Sequence, residues 1–216
     1  MTILITAFDP FGGGETNASM EVLRALPERI AGAAIRTLIV PTVFGLSARL
    51  AAKELDRCGA DGVICLGQAE GRTALTPERV AVNVMDARMS DNAGFQPADE
   101  PVVPGGPAAY FSTLPIRAMA EAMNAAGAPA AISNTAGTFV CNSLMYAMLH
   151  HTAGAEKNIP CGFIHIPCLD CQEGLAPEVP TVKKEIAVRA VTAAAEVLIR
   201  QLQEAAGENE RGGQDG

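Results

Sequence analysis

The feature that most restricts the fold of this chain is the alternation of short apolar runs with longer segments of helical periodicity. Four runs are strongly apolar rather than apolar at every second residue, namely residues 2–8 (TILITAF), 34–40 (AIRTLIV), 61–67 (DGVICLG) and 161–167 (CGFIHIP). Such runs are typical of strands that are buried on both faces of a parallel sheet. We therefore predict an α/β fold, a three-layer α/β/α sandwich around a twisted, mostly parallel central sheet.

The segments between these runs carry helix signals and one long irregular stretch. Helices are predicted from near Asn17, over 46–58, over 113–126, from Asn142 and over 183–205. Further strands are expected at 79–85 (RVAVNVM) and 130–134 (AAISN). The Pro-, Gly- and Asp-rich residues 86–106 have the length of a functional or mobile loop. With no interdomain linker, residues 1–206 are predicted to form a single domain, and residues 207–216, which lack apolar groups, a disordered tail.

Composition excludes several classes of function. The chain has 216 residues and a formal net charge of −8, so no basic stripe is available to bind nucleic acid. No segment reaches the 18 or so apolar residues of a membrane span, and the N-terminus lacks the basic region of a signal peptide. The cysteines are therefore expected to be free thiols in a reducing cytoplasm. They are Cys58, Cys65, Cys141, Cys161, Cys168 and Cys171.

The most informative thiol is Cys141, in residues 133–151 (SNTAGTFVCNSLMYAMLHH). If a helix begins at Asn142, the sulfur lies beside the positive end of the helix dipole, which would lower the thiol pKa and favour a nucleophile. The small residues before it leave backbone amides free for an oxyanion site. The alternative, a small side chain packed in the core, stays open on this evidence alone.

A thiol nucleophile needs a base, and the chain has three histidines. His150 and His151 stand at the far end of the Cys141 helix, where they suit the helix C-terminus better than catalysis. His165 lies in the apolar run 161–167, and carboxyl ends of parallel strands meet helix N-termini at one sheet edge. Glu78 follows the run 61–67 across a short loop and would orient the imidazole. The alternatives are a core histidine and a surface carboxylate paired with the neighbouring Arg79.

Five long motifs carry a resemblance to a known family. In chain order they are FDPFGG, PERVAVNVMDAR, GPAAYFSTLPI, SNTAGTFVCNSLMY and FIHIP. The chain resembles pyroglutamyl peptidase I (pyrrolidone-carboxylate peptidase), a family of cytosolic cysteine exopeptidases. The resemblance implies a Cys141, His165 and Glu78 triad that removes an N-terminal pyroglutamyl residue from peptides through a thioester, with no metal or organic cofactor. It also implies a homo-oligomer, commonly a tetramer.

The same resemblance implies a pocket for the neutral five-membered lactam. Its apolar slot corresponds to Phe8, Phe11 and Phe139, with Gln68 and Asn17 on pocket-side loops. Arg88 corresponds to the family arginine on the oxyanion side, where it would act with the Cys141 N–H. For Phe8 and Phe139 the alternative is ordinary core packing. For Arg88 it is a salt bridge to Asp86 or Asp91.

The sequence departs from the family pattern at two places. Glu70 stands where the family usually has a small residue. The pair Cys168 and Cys171 is not a family feature; we expect free thiols there, with a disulfide or a metal site as alternatives.

Two other functions compete with a peptidase. The FGGGET loop suggests nucleotide binding, but it lacks both the G-x-G-x-x-G order and the Walker lysine. The second alternative is a catalytically silent relative of the family that acts as a binding protein.

Overall fold

A computed structural model describes residues 1–212 of the chain. Its secondary structure elements alternate as the sequence pattern predicts. In chain order they are β1 (Thr2–Phe8), α1 (Ala18–Ala25), β2 (Arg29–Ile30), β3 (Ala33–Val40), α2 (Leu46–Cys58), β4 (Gly62–Gln68), β5 (Thr76–Pro77), β6 (Val80–Val82), β7 (Ala109–Phe111), α3 (Ile116–Ala125), α4 (Val140–Ala153), β8 (Cys161–Ile166), β9 (Cys168–Leu169), β10 (Thr181–Val182) and α5 (Lys184–Gly212).

Six strands form the central sheet in the order β2-β3-β1-β4-β8-β5. The four inner strands β3, β1, β4 and β8 are parallel, and the short edge strands β2 and β5 run antiparallel to their neighbours. The register of β4 and β8 pairs Gly67 with His165. The sheet is therefore mostly parallel, and the predicted fold class is confirmed.

The apolar strands fill a core on each face of the sheet. In β1, Ile3 and Ile5 belong to a cluster that includes apolar residues of α1, α3 and α5, whereas Leu4 and Phe8 belong to a cluster with α2 and α4. Successive side chains of a strand point to opposite faces, so an uninterrupted apolar run serves both clusters. This packing produces the three layers.

Two predicted strands differ from the structure. Of residues 79–85 only β6 is a strand, and it pairs with β7 in a separate antiparallel sheet. The Asn142 amide explains this separation, because its Oδ1 accepts a hydrogen bond from the Val82 N–H and its Nδ2 donates to the Val82 carbonyl, both at 2.9 Å. Residues 130–134 form only isolated bridges, Leu75 with Ala130 and Glu78 with Ser133.

The boundaries of two helices also differ from the prediction. α4 begins at Val140 rather than at Asn142, so Cys141 belongs to its first turn. α5 extends from Lys184 to Gly212 and so includes part of the segment 207–216, whose disorder stays a prediction; residues 213–216 lie outside the described residues. Within the described range, no helix combines the length and apolarity needed to cross a membrane.

Candidate active site

The first turn of α4 packs against the carboxyl ends of β4 and β8. A Cβ placed on Gly67 of β4 would lie 3.1 Å from the Cys141 sulfur and 2.6 Å from Cζ of Phe163, so only glycine leaves room for both side chains. Gly67 is also the register partner of His165 on the adjacent strand. Cys141 and His165 are therefore brought to the same edge of the sheet, as predicted.

Glu78 reaches His165 from the edge strand. Residues 76–77 pair antiparallel with β8, placing Thr76 opposite His165, and the Glu78 N–H donates to the Phe163 carbonyl at 2.9 Å. The Glu78 Oε1 lies 2.7 Å from Nδ1 of His165, and the two residues are 0% and 4% exposed. Because a carboxylate only accepts, Nδ1–H donates to it and Nε2 is left as the basic nitrogen.

Burial opposes the expected acidity of the thiol. Desolvation and, to a lesser extent, the nearby Glu78 carboxylate raise the pKa of Cys141 to about 12, against smaller opposing effects of Arg72 and the Cys141 N–H. Desolvation also lowers the pKa of His165, although its hydrogen bond to Glu78 acts in the other direction. Desolvation thus opposes the helix N-terminus, and the acidified thiol stays a prediction. These two directions favour a thiol and a neutral imidazole as the resting pair at neutral pH.

Arg72 is a charged neighbour of this group that the sequence analysis missed. Its Nη1 lies 2.6 Å from Oε1 of Glu78, and its Nη2 donates to the Thr135 carbonyl at 3.1 Å. Arg79, the residue after Glu78, instead donates from Nε to Oδ1 of Asn134 at 2.8 Å. Neighbouring residues in extended backbone point to opposite sides, so Arg79 cannot share the Glu78 environment. The only signal was Arg72 itself, at the end of the GQAEGR segment.

A cavity of about 360 Å³ opens beside the sulfur. Phe11 and Phe139 form one wall, with ring centroids 5.0 Å apart, and Phe44 packs edge-on against Phe139 at 5.3 Å. The cavity contains every pocket residue that the sequence predicted, together with others that it did not. Its lining is Phe8, Phe11, Gly12, Thr16, Asn17, Thr42, Gln68, Glu70, Met89, Phe139 and Cys141.

The polar atoms of Asn17 and Gln68 are already engaged within the protein. The Asn17 Oδ1 caps α1 by accepting from the Ser19 N–H at 2.9 Å, and its Nδ2 donates to the Asp9 carbonyl at 3.1 Å. The Gln68 Oε1 accepts from the Ala18 N–H at 2.7 Å. Both residues therefore hold the start of α1 against the cavity.

Arg88 lies at the surface and is not among the cavity residues, although its neighbour Met89 is. Among the described residues, Arg88 forms no salt bridge with either alternative partner, Asp86 or Asp91. The buried Asp91 carboxylate instead accepts backbone N–H groups, including those of Phe44 and Phe95, each at 2.9 Å. Closer to the sulfur, the first intrahelical bond of α4 runs from the Ser143 N–H to the Phe139 carbonyl. The amides of the first turn, including that of Cys141, therefore have no acceptor within the helix.

A second cavity of about 750 Å³ shares Phe11, Gln68 and Glu70 with the first. Cys171 is exposed on its wall, Cys168 is buried, and both are free thiols. Among the residues whose side chains the structure describes, 1–207, no group of three or more His, Cys, Asp or Glu side chains is placed to bind a metal.

The site combines a thiol at a helix N-terminus, an imidazole on the adjacent strand end and a buried carboxylate that orients it. On a mostly parallel α/β sheet, this arrangement defines the class of cysteine hydrolases with a Cys–His–acid constellation.

Comparisons with known proteins identify the family. The family model described as pyroglutamyl peptidase matches residues 1–201. A pyrrolidone-carboxylate peptidase of Levilactobacillus brevis is 48% identical over 199 residues, which are 92% of this chain and 98% of that protein. The crystal structure of Bacillus amyloliquefaciens pyroglutamyl peptidase I is 40% identical, with a TM-score of 0.86 over 91% of this chain and 96% of that one. The structure of a mutant pyrrolidone carboxyl peptidase of Pyrococcus furiosus is likewise 40% identical, with a TM-score of 0.88 over 94% of this chain and 100% of that one.

The chain belongs to the pyroglutamyl peptidase family of cysteine peptidases. The resemblance that its motifs carry is confirmed, and so is the activity that it implied, the removal of an N-terminal pyroglutamyl residue.

Proposed function

We propose that this chain removes the pyroglutamyl residue through a thioester on Cys141, with His165 as general base and acid and Glu78 as the group that orients the imidazole. The observation that carries this proposal is the 2.7 Å contact of buried Glu78 with Nδ1 of His165, beside the sheet edge that holds the thiol. Only the opposite nitrogen, Nε2, is left to exchange a proton with the sulfur.

The first step follows from the neutral resting pair. The Cys141 S–H proton passes to Nε2 of His165 as the sulfur adds to the carbonyl carbon that links pyroglutamate to the next residue. The C–N bond then breaks, and the imidazolium protonates the leaving amine. Water, deprotonated by His165, adds to the thioester and releases pyroglutamate and the free thiol. Glu78 stabilises the imidazolium in both halves of the reaction.

The oxyanion requires donors next to the sulfur. The Cys141 N–H belongs to the first turn of α4 and has no intrahelical acceptor, which suits it to the developing charge. Arg88 is the proposed second donor, supported by its place next to the cavity residue Met89 and by the family motif.

The cavity beside the sulfur suits an uncharged lactam. Aromatic rings of Phe8, Phe11 and Phe139 supply apolar walls, and a volume of about 360 Å³ falls in the range of small-molecule pockets. Gln68 and Asn17 are proposed to set the shape of the polar side by holding the α1 terminus. A proline ring lacks the lactam carbonyl and carries a charged amine, so this apolar site should reject it.

The experiment that tests the proposed function is release of a fluorophore from a pyroglutamyl amide and from the matched prolyl amide, in the presence of a reductant. Turnover of the pyroglutamyl amide alone supports the proposal. Equal turnover of both amides would refute the proposal and favour an unspecific peptidase. Turnover of neither amide by the folded protein would also refute it and favour a catalytically silent relative.

Thiol acidity can be measured independently of turnover. With a Cys141 pKa of about 12, the rate of its alkylation by iodoacetamide should keep rising from neutral pH through about pH 9, because the reactive thiolate stays a minor species. Peptide mass spectrometry resolves Cys141 from the exposed Cys171, which serves as the reference thiol. A rate that is already constant around neutral pH would mean that the thiolate predominates and would contradict the neutral pair.

The remaining expectations concern the state of the protein in the cell. We propose a cytoplasmic homo-oligomer, a tetramer by family resemblance, built from a single peptidase domain. Exposed apolar side chains support self-association, above all Phe111 on β7, which is 71% exposed.

A further inference from the structure

The Arg72 guanidinium joins three segments around the proposed triad. Arg72 lies in the loop after β4, contacts the Thr76 hydroxyl on β5, and forms the 2.6 Å ion pair with Glu78. Its other nitrogen donates to the Thr135 carbonyl, in the loop that leads into the Cys141 helix. One side chain thus connects the acid of the triad to the loop that precedes its nucleophile.

The environment of Glu78 explains why a cation is needed there. The carboxylate is 0% exposed, and both of its partners, Nδ1 of His165 and Nη1 of Arg72, contact the same oxygen, Oε1. Within the described part of the chain, Oε2 is buried with no hydrogen-bond partner. A buried carboxylate is costly unless a cation or several donors compensate for its lost hydration. With a neutral imidazole, Arg72 is the one formal charge among the described side chains that touches Glu78.

We propose that Arg72 is a positioning residue, which balances the charge of the buried Glu78 carboxylate and directs its Oε1 at Nδ1 of His165. Arg72 does not line the substrate cavity, so it acts through Glu78 rather than on the substrate. This inference rests on the proposed triad and adds a fourth member to it.

The proposal has a consequence for the pH dependence of catalysis. The charged groups that act on the imidazole are Glu78 and Arg72, and both also act on the Cys141 thiol. Arg72 lowers the pKa of His165 by charge repulsion. Without this cation, the Glu78–His165 pair binds a proton more readily, whichever of the two groups takes it. The acid limb of kcat/KM should then move to higher pH, because the protonated pair cannot act as the base.

The test compares Arg72→Met with Arg79→Met, which removes a neighbouring arginine that contacts Asn134 instead of Glu78. Arg72→Met should lower kcat by about 10- to 100-fold, the usual loss when a supporting charged contact is removed. KM should change much less, and the acid limb should move upward. Arg79→Met should leave the acid limb in place and kcat within about threefold of wild type.

Arg72→Lys separates charge from geometry. Lysine keeps the cation but lacks the planar fork that spans Glu78 and Thr135. Its acid limb should therefore stay near that of wild type, while its kcat lies between those of wild type and Arg72→Met. Circular dichroism of each variant establishes that it is folded before kinetics are compared.

The outcomes distinguish this inference from the proposed function. If wild type is active and folded Arg72→Met has the same kcat and the same acid limb, the positioning role is overturned and the triad remains intact. If Arg72→Met and Arg72→Lys lose kcat equally and neither acid limb moves, Arg72 is a structural residue and the positioning role is likewise overturned. An inactive wild type would instead refute the proposed function itself.

Discussion

Replacement of Cys141 by alanine is expected to reduce kcat/KM for a pyroglutamyl amide by at least roughly 10⁴-fold, with little effect on folding. Loss of the nucleophile from a catalytic triad removes the covalent route altogether, and only the oxyanion and binding contributions remain. The alanine side chain fits the space of the thiol, because Cys141 lies in the first turn of α4 and only partly in the core. Fluorophore release under saturating and limiting substrate measures the loss.

Cys58→Ala is the matched control for Cys141→Ala. Cys58 ends α2 and lies outside the cavity, where its sulfur contacts the Leu55 carbonyl of its own helix and its side chain packs at the margin of the core. Activity close to that of wild type is expected for this variant. If Cys141→Ala retained more than about a hundredth of wild-type kcat/KM while folded, another nucleophile would have to be sought.

Glu78→Gln is expected to lower kcat by about 10³- to 10⁴-fold, the second largest effect in the site. The substitution preserves size, but it replaces the carboxylate that accepts the Nδ1–H of His165 with an amide that can donate in its place. Nη1 of Arg72 and Nδ1 of His165 share Oε1, so the amide oxygen is expected to keep this place and the neutral NH₂ group to replace Oε2. The imidazolium that forms during catalysis would then lose its neighbouring negative charge.

Glu121→Gln makes the same chemical change at an exposed position of α3, outside the cavity, and should leave kcat unchanged. The measurement is the pH profile of kcat for both variants, together with their thermal unfolding. A Glu78→Gln enzyme with kcat within tenfold of wild type would contradict the orienting role of Glu78.

The fold was largely accessible from the sequence because its strongest signal is physical. Strands buried on both faces are apolar throughout, and three such runs became the inner strands β1, β4 and β8. The fourth run became the inner strand β3, in which Arg36 and Thr37 are exposed. The exceptions depend on contacts between distant residues. β6 leaves the central sheet because the Asn142 amide, 60 residues away, takes up the hydrogen bonds of Val82. No local pattern contains that information.

The candidate site was accessible only in part, for a related reason. The positions of Cys141 and His165 follow from strand ends and a helix start, which are local features. Glu78 was located through its motif, whereas its counterion Arg72 lies in a loop whose path only the structure defines. The sign of the Cys141 pKa shift was also beyond sequence analysis, because it depends on how deeply the first turn of α4 is buried.

The measurement that tests the central claim most directly is detection of the acyl-enzyme. Wild type is mixed with excess pyroglutamyl amide, quenched in acid within its first turnovers, digested and analysed by mass spectrometry. The account predicts a pyroglutamyl group in thioester linkage on the peptide that contains Cys141. Hydroxylamine should remove this group, and Cys58→Ala controls that receive no substrate should lack it. Turnover accompanied by an acyl group on another residue, such as the exposed Cys171, would contradict the account.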